Sequence, residues 1–398
     1  MKIERYNDKT KQFESTVLKS VKEWSVAKKY NPFNSYKLIS QVYRWRNIKR
    51  GNKLYPPCLV TIDPNNSCDL DCIWCNSEYI LKRRHQHLSK RALLEIAEFL
   101  GDWKVDNFGV EAVCVAGGGE SLLNPATYDL IERLIKKGIQ VGIVTNGVQM
   151  NKHYDTLSKC TWVGVSVDAG TPETFQKIKG KDKFQQVIDN MQNLIQYAND
   201  NDTTLGIKRQ GNGVTYKYLL HPYNVGEVEK SVKLAHDIGC RNFHLRPMGV
   251  PWDKLSNDND VFTTKSIETY ASQLEDARRY ETSDFGVFTV SHKFDEKLRI
   301  SNIFRQCYAV FMTCAIMPST IDRDQCTVGL CCDRRGDKRL ELLTNGNINQ
   351  LAKLWGSKKH WDIFDNINLK DCPRCTYQPH NQIFEHVILD DSMTYRFI

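Results

Sequence analysis

From Pro57 onward, short apolar segments alternate with amphipathic helical segments, and this alternation limits the possible folds more than any other feature. Apolar residues recur at helical spacing in 90–100, 184–198 and 228–240. The segments predicted as strands are 58–63, 111–119, 140–147, 162–170, 214–222 and 242–247. Strands that alternate with helices form βαβ units in a parallel sheet. Six of them predict an α/β fold, a partial (β/α)6 barrel rather than the full eight-stranded form.

The chain divides into four parts by composition. The barrel is predicted over 54–250, after an N-terminal extension at 1–53. Residues 251–305 are polar and charged with one helical stretch, which predicts a bridging segment. Seven of the 14 cysteines then fall within 307–375, so we expect a small cysteine-rich α+β domain over 306–398.

The N-terminal extension is strongly basic, with 14 Lys+Arg against 4 Asp+Glu in residues 1–53. The residues predicted to stack on bases or to contact phosphates are Trp24, Tyr43, Arg44, Trp45, Arg46, Lys49 and Arg50. Another basic stretch, "KRRH", stands at 82–85. Such a distribution favours an anionic partner. A solvated helical extension packed on the main domain explains the charge equally well.

The cysteines and the flanking composition bear on the compartment. The chain begins with polar and charged residues and has no apolar run long enough to cross a membrane, so we expect neither a secretory signal nor a membrane partner. Fourteen cysteines in such a chain indicate metal or redox use in a reducing compartment rather than disulfides. We therefore expect a cytoplasmic protein.

Three cysteines, Cys68, Cys72 and Cys75, follow the first predicted strand within eight residues. They lie at the carboxyl end of that strand, which is where parallel barrels place their chemistry. An iron–sulfur cubane has four irons, each normally bound by one thiolate. Three ligands leave one iron open for another molecule. Half of a zinc site is the alternative, but no matching second half lies nearby.

The Cys68-x3-Cys72-x2-Cys75 triplet, with Trp74 before its last cysteine, resembles the cluster motif of the radical S-adenosylmethionine (SAM) superfamily. "GGGE" at 117–120, "TNG" at 145–147 and "SVD" at 166–168 resemble further motifs of that family. The resemblance covers about residues 55–250. It implies that SAM is contacted by Trp74, Gly117, Gly118, Gly119, Glu120, Asn146, Ser166, Asp168 and Arg246. Ser166 and Asp168 suit a helix cap equally well.

The resemblance also implies the chemistry. A reduced [4Fe–4S] cluster with an open iron cleaves SAM to a 5′-deoxyadenosyl radical, which abstracts hydrogen from an unactivated carbon. An external one-electron reductant such as flavodoxin or ferredoxin is therefore an expected partner. His221 and Tyr218, near the end of the fifth predicted strand, are candidate catalytic residues.

The cysteines of 307–375 resemble the SPASM/twitch extension that many radical SAM enzymes carry, which implies one auxiliary [4Fe–4S] cluster. The expected ligands are Cys314, one of the adjacent pair Cys331 and Cys332, and then Cys372 and Cys375. Cys307 and Cys326 remain, and either can replace Cys314. A zinc ribbon built from the same cysteines is the alternative.

Three functions compete on this sequence. The first is a radical SAM enzyme acting on an anionic substrate, namely a nucleotide, a nucleic acid or a phosphorylated sugar. The second is a radical SAM enzyme that oxidises, cross-links or epimerises a peptide or protein. The third, from another class, is a zinc- or cluster-stabilised nucleic-acid-binding protein without SAM chemistry. The fold alone does not choose among them.

Overall fold

The computed structural model describes residues 2–7, 12–17, 38, 40–78, 86–207, 212–249, 261–289, 304–372 and 375–389 of the 398-residue chain. Trp24, the "KRRH" stretch at 82–85 and about half of the extension at 1–53 lie outside the described residues. Among the described residues, no helix combines the length and the apolar character needed to cross a membrane.

The described strands form one large sheet and two small ones. The strands are β1 Lys2–Asn7, β2 Gln12–Val17, β3 Leu59–Ile62, β4 Lys104–Val105, β5 Phe108–Gly109, β6 Ala112–Val115, β7 Gln140–Thr145, β8 Trp162–Ser166, β9 Gly213–Leu220, β10 Asn242–Pro247, β11 Gly286–Thr289, β12 Thr313–Pro318, β13 Cys326–Gly329 and β14 Glu341–Gly346. The large sheet has ten strands in the order β11-β10-β9-β8-β7-β6-β3-β12-β13-β14. All neighbours from β11 to β12 are parallel, whereas β12, β13 and β14 are antiparallel.

The described α-helices are α1 Val42–Trp45, α2 Lys90–Asp102, α3 Ala126–Lys136, α4 Tyr154–Leu157, α5 Pro172–Lys179, α6 Phe184–Asp200, α7 Val228–Asp237, α8 Thr264–Ala277, α9 Leu351–Leu354, α10 Lys358–Asp365 and α11 Gln378–Ile383. Their ends follow sequence signals. Asn124 accepts the backbone N–H of Ala126 before α3, and Thr171 caps α5 ahead of Pro172. Gly180, at φ 71°, ends α5 in the left-handed region that favours glycine.

The six predicted barrel strands are present as β3, β6, β7, β8, β9 and β10. The parallel sheet continues beyond them at both edges. β11, from the segment expected only to bridge, pairs with β10. β12, from the cysteine-rich part, pairs with β3. One apolar core, extending from Leu54 to Phe364, unites the barrel with the cysteine-rich part.

Side chains alternate along each barrel strand between the helical layer and the barrel interior. Near the amino ends, the Trp162 ring occupies the interior, and a Cβ at Gly142 would lie 2.1 Å from it. Gly286 makes room for the Phe288 ring in the same way, since a Cβ there would lie 2.6 Å from that ring. Parallel barrels place their sites at the carboxyl ends of the strands, which is the end that carries the cysteine loop.

Candidate active site

The three cysteines Cys68, Cys72 and Cys75 lie in one loop after β3, and each is partly buried. The carboxyl end of α5 holds this loop. The Asp71 N–H donates to the Lys179 carbonyl at 2.9 Å, and the Ile73 N–H donates to the Ile178 carbonyl at 3.0 Å. Burial raises the pKa of the Cys68 thiol to about 12. The loop therefore offers three sheltered thiols that a metal must deprotonate in order to bind.

The predicted "GGGE" segment is tied directly to the cysteine loop. The Glu120 N–H donates to the Ser67 carbonyl at 2.7 Å, and the Asn65 side chain donates to the Glu120 carbonyl at 2.7 Å. A Cβ at Gly119 would lie 2.2 Å from the Ser67 carbonyl oxygen. Only glycine permits this approach. The structure thus brings together the two motifs predicted to hold the cluster and SAM.

The Glu120 carboxylate faces inward rather than toward a ligand. It is 3% exposed and accepts from the Thr145 hydroxyl at 2.7 Å and from the Asn146 N–H at 2.6 Å. Burial raises its pKa to about 7, against these hydrogen bonds. Glu120 therefore fixes the "TNG" turn, and its predicted contact with SAM stays a prediction.

Asn146 connects this turn to the cysteine loop. Its side-chain amide donates to Asp69 at 2.6 Å and to the Cys68 sulfur at 3.9 Å. Hydrogen bonds to cysteine sulfurs tune the potential of an iron–sulfur cluster. The structure thus places Asn146 against a cluster ligand, whereas its predicted contact with SAM stays a prediction.

The Asp168 carboxylate is 1% exposed and its oxygens are already bonded, so its predicted contact with SAM stays a prediction. One oxygen pairs with Lys179, and the other accepts the Leu219 N–H at 2.7 Å. The residue has φ 61°, a strained value for aspartate. Burial lowers the pKa of Lys179, but the Asp168 charge outweighs it and leaves that pKa raised. This pair locks the end of β8 to α5.

Trp74 and His221 stack on one another, with ring centroids 4.5 Å apart and planes 24° apart. His221 is half-buried, and burial together with the Lys177 charge lowers its pKa to about 4. Its Nδ1 accepts the Tyr223 N–H at 3.1 Å. The neutral His221 ring therefore extends an aromatic wall beside the cysteine loop, and its predicted catalytic role stays a prediction.

Tyr218, the other predicted catalytic residue, lies on the far face of β9, and its catalytic role stays a prediction. Its side chain faces the helical layer, is 1% exposed, and donates to the Asn224 carbonyl at 2.7 Å. The alternation along β9 instead directs Lys217 into the barrel interior. Sequence reasoning missed Lys217, although the parity of the strand could have identified it.

The interior near Lys217 is rich in cations. Lys217 is in register with Ser166 on one side and with His244 on the other. Burial and the neighbouring Arg246 charge lower the pKa of Lys217 to about 8. Gly164 makes room for its methylene stem, since a Cβ there would lie 2.7 Å from the lysine Cδ. Arg246, predicted to bind the cofactor, therefore lies beside a second cation, and both residues are partly buried.

The C-terminal cysteines group differently from the predicted set. Burial comes first among the causes that raise the pKa of Cys375, followed by the charges of Cys307, Cys331 and Cys372. Within the described ranges, no three such side chains meet the spacing for a single metal ion. Around the group, Arg334 donates to the Cys372 sulfur at 3.8 Å. Cys307, Cys331 and Cys372 thus lie close enough to Cys375 for their charges to raise its pKa, which makes these four thiols neighbours.

Cys314 is not among the cysteines whose charges act on Cys375. It is 1% exposed within β12, and its place as a cluster ligand stays a prediction. Cys332 packs with Cys307 and Cys375 against a small apolar core, and it also faces the Tyr377 hydroxyl and the barrel residue Cys114. Of the adjacent pair, Cys331 is the one whose charge raises the pKa of Cys375, and Cys332 remains the alternative.

Part of the basic extension is used internally. Arg44 is buried and pairs with Glu111 at 2.7 Å, and Trp45 is 1% exposed, so both are wrong as nucleic-acid contacts. Arg50 binds Asp365 at 2.5 Å and lies 4.6 Å from the centre of the Trp361 ring. The exposed side chains are Tyr43, Arg46, Lys49 and Arg50. The charge of this segment thus serves packing at least in part.

Comparisons with known proteins agree with this geometry. Residues 62–235 match the family model described as "Radical SAM superfamily". A "Probable GTP 3',8-cyclase" of Saccharolobus islandicus (strain M.14.25 / Kamchatka #1) is 25% identical over 230 residues, 55% of this chain and 66% of the relative. The "Mycofactocin maturase MftC" of Mycobacterium ulcerans (strain Agy99) is 26% identical over 198 residues, 48% of each chain. The matches therefore span less than two thirds of the cyclase and about half of the maturase.

Solved structures confirm the predicted fold. SuiB of Streptococcus suis bound to its precursor peptide SuiA superposes with a TM-score of 0.55 at 15% identity, covering 83% of this chain and 70% of SuiB. SuiB bound to SAM superposes with a TM-score of 0.54 at 14% identity, covering 81% and 69%. The mixed α/β partial barrel and its cysteine-rich extension are thus the architecture expected from the sequence.

Proposed function

Because the chain is an enzyme of the radical SAM superfamily, we propose that it abstracts hydrogen from an unactivated carbon of an anionic substrate. A nucleotide, a nucleic acid or a phosphorylated sugar would meet this description. When bound, an open-iron [4Fe–4S] cluster and SAM supply the electron and the hydrogen-abstracting group. A flavodoxin- or ferredoxin-like protein would supply that electron. The third predicted function, a binding protein without SAM chemistry, is set aside.

The residues of the site suit these groups. Cys68, Cys72 and Cys75 provide soft thiolate ligands on a loop that α5 holds in place. Gly117 and Gly119 pack against Asp63 and Ser67 with no room for a Cβ, which fixes this backbone, and its carbonyls suit an ammonium group. The stacked rings of Trp74 and His221 shield one side of the loop from water. The chain therefore binds, orients and shelters the reacting groups.

The observation that supports an anionic substrate is a pair of cationic side chains inside the barrel, Lys217 and Arg246. Burying a lysine is costly, and burial lowers its pKa to about 8. A phosphate or carboxylate placed between the two side chains would offset that cost with charge-assisted hydrogen bonds. The interior lies below the cysteine loop, so a substrate held there would present a carbon to the site.

A peptide substrate is the second candidate. The maturase relative and SuiB, which was solved with its precursor peptide, favour it. The cyclase relative favours a nucleotide, and its name makes GTP the first compound to assay. An acidic peptide would use the same two cations. The substrate is therefore decided by assay rather than by fold.

The deciding experiment measures 5′-deoxyadenosine from the anaerobically reconstituted protein, with GTP and other nucleoside triphosphates against a panel of peptides. We expect a nucleotide to stimulate SAM cleavage and Lys217→Gln to remove the stimulation while leaving basal cleavage. Lys159→Gln is the matched control, because Lys159 is half-exposed and pairs with Glu132 on the helical layer. Stimulation by a peptide alone, or an unaltered response in Lys217→Gln, would refute the anionic-nucleotide proposal.

We further propose that Cys307, Cys331, Cys372 and Cys375 bind one auxiliary [4Fe–4S] cluster. Their grouping supports four thiolate ligands, the usual number for a cubane. The Asn381 amide donates to the Cys375 sulfur at 3.9 Å, and Arg334 lies against Cys372. These donors suit the charge of bound thiolates. A zinc ion remains the competing occupant, and metal analysis separates the two.

A further inference from the structure

Arg335 extends from the loop between β13 and β14 to the barrel. Its Nε donates to Asp63 Oδ2 at 2.7 Å, and the side chains are 14% and 0% exposed. Its Nη1 donates to the Cys332 carbonyl. One guanidinium thus bonds the first barrel strand and the backbone beside Cys331, a member of the auxiliary thiol group.

Asp63 carries this contact to the glycine segment. It follows β3 directly, and its Oδ2 also accepts the Gly118 N–H at 3.1 Å. A Cβ at Gly117 would lie 1.9 Å from Oδ1, so the carboxylate fills the space that a side chain would take. The Asp63 carboxylate therefore sets the position of both glycines. Burial raises its pKa to about 6, although Arg335 and the Gly118 N–H oppose the shift.

We infer that Arg335 and Asp63 are positioning residues through which the auxiliary cysteine site controls the SAM-binding glycine segment. Three hydrogen bonds lead from the Cys332 carbonyl through Arg335 and Asp63 to the Gly118 amide. The inference rests on the proposed function, in which this segment binds SAM. Affinity for SAM then depends on whether the auxiliary site is filled.

The chemistry of arginine suits this task. Its planar fork holds two acceptors at a fixed mutual geometry, so a shift of the Cys332 backbone moves the carboxylate as well. Another ion pair, Arg91 with Asp324 at 2.7 Å, also joins the two parts of the chain. Arg91 is 68% exposed, so this pair is solvated, unlike the buried pair of Arg335 and Asp63. It is thus a matched control for a pair that only ties the parts together.

The first measurement compares SAM dissociation constants of anaerobically reconstituted wild type, Arg335→Gln and Arg91→Gln by equilibrium dialysis. Charge-assisted buried hydrogen bonds contribute enough that we expect a rise of about tenfold or more for Arg335→Gln. Arg91→Gln should match wild type, and iron content should be equal in all three. Arg335→Lys keeps the positive charge but lacks the planar guanidinium, so it should also raise the SAM dissociation constant. This variant tests the inference if Arg335→Gln does not fold.

The second measurement tests the link to the auxiliary site. Cys372→Ser, which removes one auxiliary ligand, should weaken SAM binding when Arg335 is present. In an Arg335→Gln background the same substitution should have little further effect, because the connection is already broken. This non-additivity is a readout that a merely structural role would not give.

The outcomes separate the inference from the proposed function. If wild type binds SAM but Arg335→Gln and Arg335→Lys bind it as tightly, the inference is overturned and the proposed function stands. Additive effects of Cys372→Ser and Arg335→Gln would likewise overturn it. A wild-type protein that binds no SAM and yields no 5′-deoxyadenosine would overturn both.

Discussion

Replacing Lys179 by methionine should loosen the cysteine loop. Lys179 is 4% exposed and its partner Asp168 is 1% exposed. The carbonyls of Ile178 and Lys179 accept the N–H groups of Ile73 and Asp71, which belong to the loop. Methionine fills a similar volume but cannot donate a hydrogen bond. The Asp168 charge then stays buried, with the Leu219 N–H as its hydrogen-bond donor.

The size of the effect follows from this burial. Removing one partner of a buried ion pair costs about 3–5 kcal/mol, because the other charge stays buried without compensation. If this lost stability is confined to the carboxyl end of α5, the free energy of local opening of the cysteine loop decreases by the same amount. A decrease of about 3–5 kcal/mol corresponds to roughly a 150- to 5,000-fold increase in the opening equilibrium.

Hydrogen exchange of peptides covering residues 68–78 measures this opening. We expect the Asp71 and Ile73 amides to exchange roughly 100-fold faster or more in Lys179→Met than in wild type. The double variant Asp168→Asn/Lys179→Met should recover most of the protection, because neutral groups of similar volume replace the pair.

Lys181→Met is the matched control. Lys181 pairs with Asp71 of the same loop at 3.0 Å, but the two side chains are 50% and 73% exposed. Exposed pairs contribute about 0–1 kcal/mol, so exchange should rise fivefold at most. Equal exchange rates in Lys179→Met and Lys181→Met would refute the reasoning.

Three further predictions concern the metal sites and pH. The Ala variants of Cys68, Cys72 and Cys75 should each yield no 5′-deoxyadenosine after reconstitution; wild-type yields would sink the cluster assignment. The reconstituted chain should hold about eight irons, and Cys307→Ser should lose about four of them whereas Cys314→Ser keeps them; zinc in place of that iron would indicate a ribbon. The pKa of Glu120 is raised by burial from 4.5 to about 7, so folding takes up a proton. Its contribution to stability is then greatest below pH 4.5 and falls as pH rises to about 7, a slope in the melting temperature that Glu120→Gln should lack.

The sequence predicted the barrel strands because each is a short apolar run beside a turn or cap signal. The same criterion missed β11, because this strand lies in a polar segment that was predicted to be a bridge between domains. Its four residues, Gly286–Thr289, are all buried. Only pairing with β10 reveals that they extend the barrel.

Site residues were predictable where a motif fixed the backbone and less so where side-chain direction decided the role. The cysteine triplet and the glycine segment are held by contacts between their backbones. The spacing of these residues in the sequence was enough to identify both motifs. Tyr218 and Lys217 differ by one position on β9, and that shift reverses the face. Cys307 and Cys314 were equally acceptable ligands by spacing. Position in the fold separates them, since Cys314 is buried within β12 whereas the charge of Cys307 raises the pKa of Cys375.

The parallel pairing of β12 with β3 affects how the chain can be divided. β3 lies between β6 and β12, so it is an interior strand only while residues 313–318 are present. A fragment ending at residue 305 would expose the backbone of the strand that leads into the cysteine loop. Unpaired edges of this kind template aggregation. The barrel and its C-terminal extension therefore form a single cooperative unit. A barrel expressed without the extension should aggregate.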